Sequence, residues 1–134
     1  IGVTGVQTCA LPISIKLYSR YKQAGILEIE ASCVAARLIY KLGKKLEATS
    51  FAHNAVYVSL PIKSQMEKVY RFRAISELFK EIKMFRKASF FRRISAMQSI
   101  NISDNQWPLC LRESLHAALL CAFAYWYTCT ACCH

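Results

Sequence analysis

The side chains best suited to binding chemistry are five basic residues that lie close together in the chain. They are Lys83, Arg86, Lys87, Arg92 and Arg93. Between residues 63 and 93, ten Lys or Arg side chains accompany three Glu, which accounts for about seven of the ten net positive charges of the chain. Such a segment attracts anionic lipid, acidic protein or nucleic acid, although a solvated helix face has the same composition. We expect these five residues to form an interaction surface.

Nucleic acid is the least expected of these partners. A basic stretch that binds RNA usually belongs to a recognisable module, such as an RRM or KH domain. The sequence contains neither signature. We therefore expect no nucleic acid partner.

Cysteine is abundant, with seven residues, and it is concentrated near the C-terminus. Cys129, Cys132, Cys133 and His134 could supply ligands to zinc, but a structural zinc site usually takes its ligands from two separated segments. These four residues crowd into one short stretch. An odd number of cysteines without regular spacing also differs from a secreted disulfide framework. The sequence predicts no metal, no cofactor and a reducing compartment.

The sequence contains no recognisable catalytic pattern. A nucleophilic Cys or Ser needs a base that a third group orients. His53 lies between Ala52 and Asn54 in a helical stretch, where a partly exposed structural histidine is expected. The sequence has no Gly-rich phosphate loop and no HExxH motif. It predicts that the protein is not an enzyme.

A predicted amphipathic helix carries the first part of the basic stretch. Ser64 and Glu67 form a capping box at its start, and Pro61 ends the preceding segment. Apolar residues then recur every three to four positions, the spacing of one helix face: Met66, Val69, Phe72, Ile75, Phe79 and Ile82.

A second helix, predicted from Met84 to Gln98, has two apolar faces. One face has Ala88, Phe91 and Ser95, and the other has Phe90, Ile94 and Met97. Between the faces, four cations are expected to reach solvent: Arg86, Lys87, Arg92 and Arg93. A helix with two apolar faces packs against two neighbours, as in a stacked helical array.

An earlier pair of helices precedes these two. Residues 15–23 predict a short basic helix, Ile26 to Leu42 a helix that is apolar on nearly all sides and therefore buried, and Lys44 to Val58 its partner. The two pairs match at a spacing of about forty residues: Leu38 with Leu78, Leu42 with Ile82, Ala48 with Ala88, Thr49 with Ser89 and Phe51 with Phe91. Ala followed by Phe one turn later is typical of tetratricopeptide-like hairpins. The predicted fold is all-α, a tetratricopeptide-like α-solenoid fragment of about two helical hairpins over residues 14–99.

The two ends of the chain differ from this pattern. Residues 1–13 contain VTGVQTCALPI, which resembles a translated sequencing-library adapter, and we expect them to be unstructured; an apolar leader is the alternative. Residues 100–134 predict a loop and an apolar, Cys-rich tail. From Ser114 to His134 this tail lacks Lys, Arg, Asp and Glu, and its length would span a bilayer. Its two interpretations are a tail anchor and an artefactual or out-of-frame end.

The stretch EKVYRFRAISELFKEIKMFRKASFFRRISAMQ is similar to the helical mid-region of subunit 9 of the trafficking protein particle (TRAPP) complex. The most specific part is the run from Phe85 to Phe91, together with Ala96, Met97 and Gln98. Residues 42–48 and 54–58 are similar to the same region. The resemblance covers about residues 14–99, and the chain departs from the family pattern from Leu111 onward.

This resemblance implies a non-catalytic scaffold in the second TRAPP assembly, which activates Rab GTPases at the Golgi and in endosome-linked traffic. It implies other TRAPP II subunits as partners, Rab GTPases as indirect partners, and a cytoplasmic location, peripheral at Golgi and trafficking membranes. It also implies a role in NF-kappa-B signalling. The alternative function is a small basic peripheral or tail-anchored membrane protein, with the five cations facing anionic lipid.

Overall fold

A computed structural model describes residues 24–102 and 107–132, and within those ranges every regular element is an α-helix. The all-α prediction is confirmed. The helices are α1 (Ala24–Lys41), α2 (Lys45–Ser59), α3 (Gln65–Glu81), α4 (Phe85–Ile100) and α5 (Trp107–Cys132). The adapter-like segment 1–13 and the predicted helix 15–23 lie outside the described residues. The chain divides into two compact units, one ending at Ser59 and the other beginning at Leu60.

In the first unit, α1 and α2 form an antiparallel hairpin. The Asn54 side-chain amide of α2 donates to Ser32 Oγ at 3.0 Å and to Glu28 Oε1 at 3.4 Å, both on α1. Small side chains line the interface and let the two helices approach closely. They are Ala35 and Ala36 of α1, and Ala48, Ala52, Ala55 and Ser59 of α2, all buried.

The outer side of α1 is more open than its sequence predicts. Leu27, Val34 and Leu38 are each about half exposed, whereas Ile29 is buried. The prediction that α1 is buried on all sides is therefore wrong. Its apolar residues encircle the helix, but α2 covers a single face.

A glycine in the left-handed region makes the turn between α1 and α2. Gly43 has φ 81°. Its N–H donates to the Tyr40 carbonyl at 2.9 Å, and the next N–H, of Lys44, donates to the Ile39 carbonyl at 3.2 Å. These two hydrogen bonds define a Schellman motif, which satisfies carbonyls at the end of a helix.

The turn between α3 and α4 repeats this motif forty residues later. Lys83 occupies the position that corresponds to Gly43 and also has a positive φ, 62°. Its N–H donates to the Lys80 carbonyl at 3.0 Å, and the Met84 N–H donates to the Phe79 carbonyl at 2.8 Å. The two hairpins thus share a turn geometry as well as a sequence pattern, although a lysine replaces the glycine in the second.

In the second unit, α3 begins where the capping box predicts. Ser64 is the N-cap, and its side chain accepts a hydrogen bond from the Glu67 N–H at 3.4 Å. The predicted apolar face of α3 is buried at Val69, Phe72, Ile75, Phe79 and Ile82. Met66, the first residue assigned to that face, is instead 57% exposed.

Helix α4 lies between α3 and α5, so the prediction of two neighbours is confirmed. On the α3 side, the Phe91 ring stacks on Phe72 at 6.1 Å and on Phe79 at 5.3 Å between centroids. On the α5 side, Phe85 meets Phe123 and Tyr127 edge to face. The residues predicted to face a second neighbour behave differently, since Phe90 and Met97 remain about half exposed.

Serine hydroxyls join the three helices of this unit. Each donates to a backbone carbonyl of a neighbouring helix: Ser76 to Ala88 at 2.7 Å, Ser95 to Val69 at 3.0 Å and Ser89 to Ala117 at 2.9 Å. Such bonds require closely spaced backbones. They fix α4 antiparallel to both α3 and α5.

Candidate interaction surface

Arg92 does not reach solvent. It is 3% exposed, with Nη1 at 2.9 Å from Glu77 Oε1 on α3 and Nε paired with Glu113 on α5. The prediction that Arg92 contributes to an exposed cationic surface is therefore wrong. The residue lies on the side of α4 that faces both neighbours, and two carboxylates neutralise its charge there.

Glu113 is the buried centre of this ion-pair cluster. It is fully buried and pairs with Arg92, with Arg112 at 3.6 Å and with Arg73 of α3 at 3.8 Å. The sequence analysis did not single out this residue, which lies within the predicted loop and tail of residues 100–134. A signal was present, since Glu113 is the single acidic residue of a mostly apolar α5. A charge in that setting indicates a buried partner.

Two titratable side chains around the cluster have lowered pKa values. Burial raises the pKa of Glu77, but the hydrogen bond and charge of Lys80, with the charge of Arg92, outweigh it and hold the pKa below its ordinary value. Burial lowers the pKa of His116, and the nearby Arg92 lowers it further. Both shifts favour the charge state with the fewer protons.

The other four predicted cations reach the surface to different degrees. Lys83, Arg86 and Arg93 are exposed and Lys87 is partly exposed. Three of them lie over aromatic rings: Arg86 over Tyr125 at 5.7 Å, Lys87 over Phe79 at 5.8 Å and Arg93 over Phe90 at 5.6 Å. A cation over a ring face is held in place electrostatically while remaining accessible to solvent.

Two open grooves run beside the contact between α4 and α5, and they separate these cations. The first, here called the arginine groove, has a volume of about 500 Å³. Its lining consists of Arg86, Ser89, Phe90 and Arg93 from α4 with Ser114, Ala117, Ala118 and Cys121 from α5. The second has about 510 Å³ and includes Lys83, His116 and Phe123 in its lining. The predicted surface is therefore divided between two sites.

Metal binding has no support in the described part of the chain. No group of three or more His, Cys, Asp or Glu side chains there could hold an ion. Cys129 and Cys132 are exposed near the end of α5. Cys133 and His134 lie outside the described residues.

Helix α5 meets the length and composition requirements of a membrane span. Among the described helices it alone passes that test, with a mean hydropathy of 1.3 in its most apolar window. However, crossing a bilayer would remove Phe123 and Tyr127 from their edge-to-face contacts with Phe85, and Ala117 from its hydrogen bond with Ser89. Because α5 packs on α4 through these contacts, the tail-anchored alternative is not favoured.

Comparison with known proteins finds several relatives that share one name. The chain is 40% identical over 101 residues to trafficking protein particle complex subunit 9 of Bos taurus and 39% identical to that of Homo sapiens. The Xenopus laevis protein of the same name is 36% identical. The predicted resemblance to TRAPP complex subunit 9 is confirmed. Each alignment covers 74% of this chain and 9% of the subunit 9 relative.

The aligned stretch is longer than the interval 14–99, so similarity to subunit 9 continues beyond that interval. No protein-family model matches the chain, and no solved structure matches it.

Proposed function

We propose that this chain is a non-catalytic scaffold segment of a TRAPP II complex, which tethers vesicles and activates Rab GTPases. It acts by contacting other TRAPP subunits in the cytoplasm, at Golgi and trafficking membranes. The observation that carries the proposal is the 36–40% identity to subunit 9 over 74% of the chain. The Rab GTPases are indirect partners, since this segment contributes contacts and no catalytic group.

The form proposed for the scaffold is a tetratricopeptide-like solenoid. The identical Schellman turns at Gly43 and Lys83 support it, because a repeated unit reproduces its turn geometry at a fixed spacing. The central position of α4 between two antiparallel neighbours is the packing that such an array requires.

Exposed apolar residues on α5 also support a scaffold. Leu111, Leu115 and Leu119 recur every four positions along α5, and each is more than half exposed. Monomeric proteins rarely leave such a row uncovered. We propose that further TRAPP protein covers it.

A chimera tests the proposal directly. The matching segment of human subunit 9 is replaced by this chain, and assembly with the other TRAPP subunits is measured by co-sedimentation from cells that lack the endogenous protein. Subunit 9 with the segment deleted is the control. We expect the chimera to assemble like the intact subunit. Assembly no better than that of the deletion would contradict the proposal.

A further inference from the structure

We infer that the arginine groove binds an acidic amphipathic helix of a protein partner. This inference rests on the proposed scaffold function and specifies the chemistry of one of its contacts. It concerns Arg86, Phe90 and Arg93 of α4 and the small residues of α5 that face them.

The residues that line the arginine groove are regularly spaced along both helices. Arg86, Ser89, Phe90 and Arg93 follow the i, i+3, i+4, i+7 pattern, so they form one stripe over two turns of α4. Ser114, Ala117, Ala118 and Cys121 follow the same pattern on α5. The groove therefore runs along both helices. A third helix laid in it presents groups at matching intervals, about 10 Å for seven residues.

The arginine groove carries two positive charges, on Arg86 and Arg93. Among the described residues, no carboxylate lies within ion-pair distance of Arg86 or Arg93. This contrasts with Arg92 on the same helix, whose charge Glu77 and Glu113 neutralise. The Tyr125 and Phe90 rings hold the two free guanidinium groups in place. Two preorganised cations about two turns apart match two carboxylates at the same separation.

The centre of the arginine groove is apolar. Phe90 lies between the two arginines and is 46% exposed. Opposite it, Ala117 and Ala118 have side chains too short to block a close approach. An apolar anchor between charged ends is the pattern that an amphipathic helix recognises. A helix with Leu between two Glu would cover Phe90 and pair both arginines.

The recessed floor distinguishes a helix from a lipid surface. A flat anionic bilayer can contact the exposed guanidinium groups of Arg86 and Arg93. It cannot reach Ala117, which is buried at the bottom of the groove. Occupation of the floor is therefore the property that a test should measure.

The probe is a fluorescent, hydrocarbon-stapled helical peptide with Glu at positions i and i+7 and Leu at i+3 and i+4. Its affinity for the whole chain is measured by fluorescence anisotropy. We expect Arg86→Glu with Arg93→Glu, and separately Ala118→Trp, to weaken binding by about tenfold or more. The first pair removes the charge complementarity, and the tryptophan fills the groove without changing the charge. A peptide in which Gln replaces both Glu should bind the unmodified chain as weakly as the original peptide binds these variants.

The control variant carries Lys45→Glu and Lys63→Glu, which give the same change in net charge at exposed positions outside the groove lining. It should bind the peptide like the unmodified chain. Circular dichroism checks that each variant is folded. If Ala118→Trp unfolds the chain, Cys121→Met fills the same groove with a smaller change.

Two results would overturn the inference. One is peptide binding that depends on the arginines but tolerates both groove-filling variants. The other is binding to vesicles of equal phosphatidylserine and phosphatidylcholine, with the same arginine dependence and no peptide binding. Neither result bears on the assembly of the chimera, so the scaffold proposal is tested separately.

Discussion

Lys83 has a backbone conformation that is unfavourable for a residue with a Cβ. It adopts a left-handed conformation at φ 62°, where the first hairpin has Gly43 at φ 81°. A residue with a Cβ is strained in this region by about 1–2 kcal/mol, whereas glycine is not. The second hairpin thus retains a strained turn and gains an exposed cation beside a groove.

This strain gives a stability prediction. Lys83→Gly should raise the free energy of unfolding by about 0.5–1 kcal/mol, because relief of the strain exceeds the extra chain entropy of glycine. The reciprocal change, Gly43→Lys, should lower it by a similar amount. Urea denaturation followed by circular dichroism measures both. A loss of stability in Lys83→Gly would show that the lysine side chain stabilises the turn.

Glu77 and His116 make stability depend on pH in the same direction. Both have pKa values lowered by folding, from ordinary values of 4.5 and 6.5. The unfolded chain therefore binds protons first as the pH falls. Thermal stability should decrease as the pH falls through 6.5, from His116, and again through 4.5, from Glu77. His116→Gln should remove the upper decrease and leave the lower one; a profile unchanged by this substitution would exclude His116 as its source.

At the scale of elements, α5 is held to α4 by a buried ion pair as well as by aromatic contacts. Removing one partner of a buried pair costs about 3–5 kcal/mol when the other charge is left unpaired. Because Arg92 would keep Glu77 at 2.9 Å, Glu113→Ala should cost about 3 kcal/mol, the lower end of that range, in a denaturant titration. Arg73→Ala, which removes a partly exposed and longer contact of Glu113, should cost less than about 1 kcal/mol.

A double variant separates charge from packing. Replacing Arg92 with Met and Glu113 with Leu removes both charges and keeps apolar volume at the interface. It should be more stable than Glu113→Ala alone. Equal losses in the two variants would mean that packing volume, rather than the loss of one of the two carboxylates that neutralise Arg92, determines the effect.

The elements differ in how far the sequence predicts them. Ser64 predicts the start of α3, and the regular spacing of apolar residues predicts the buried face of that helix. Both are local properties of the sequence. The two neighbours of α4 follow from its two apolar faces. The sequence does not predict which residues form those faces, because Arg92 is buried by ion pairs with residues 15 and 21 positions away in the chain. Helix α5 has apolar residues on every side, so their spacing has no period that predicts which side packs.

At the scale of the whole molecule, the family and the all-helical class could be predicted from the sequence. Which cations are buried and which line a groove could not. Arg86, Arg92 and Arg93 are nearly adjacent in sequence, yet Arg92 is buried and the other two line a groove. Helical geometry directs residues 92 and 93 to faces about 100° apart. Which of these faces is buried depends on how α3 and α5 pack against α4. A count of charges along the sequence contains no information about that packing.

The buried cluster also determines the order in which the second unit folds during synthesis. Arg92 emerges from the ribosome after Glu77 but before Glu113, because the chain is made from its N-terminus. The α3–α4 hairpin therefore forms with Glu77 as a partner of Arg92, and Glu113 becomes available only when the first turns of α5 are made. The second unit thus completes its fold only after Glu113 has emerged and docked.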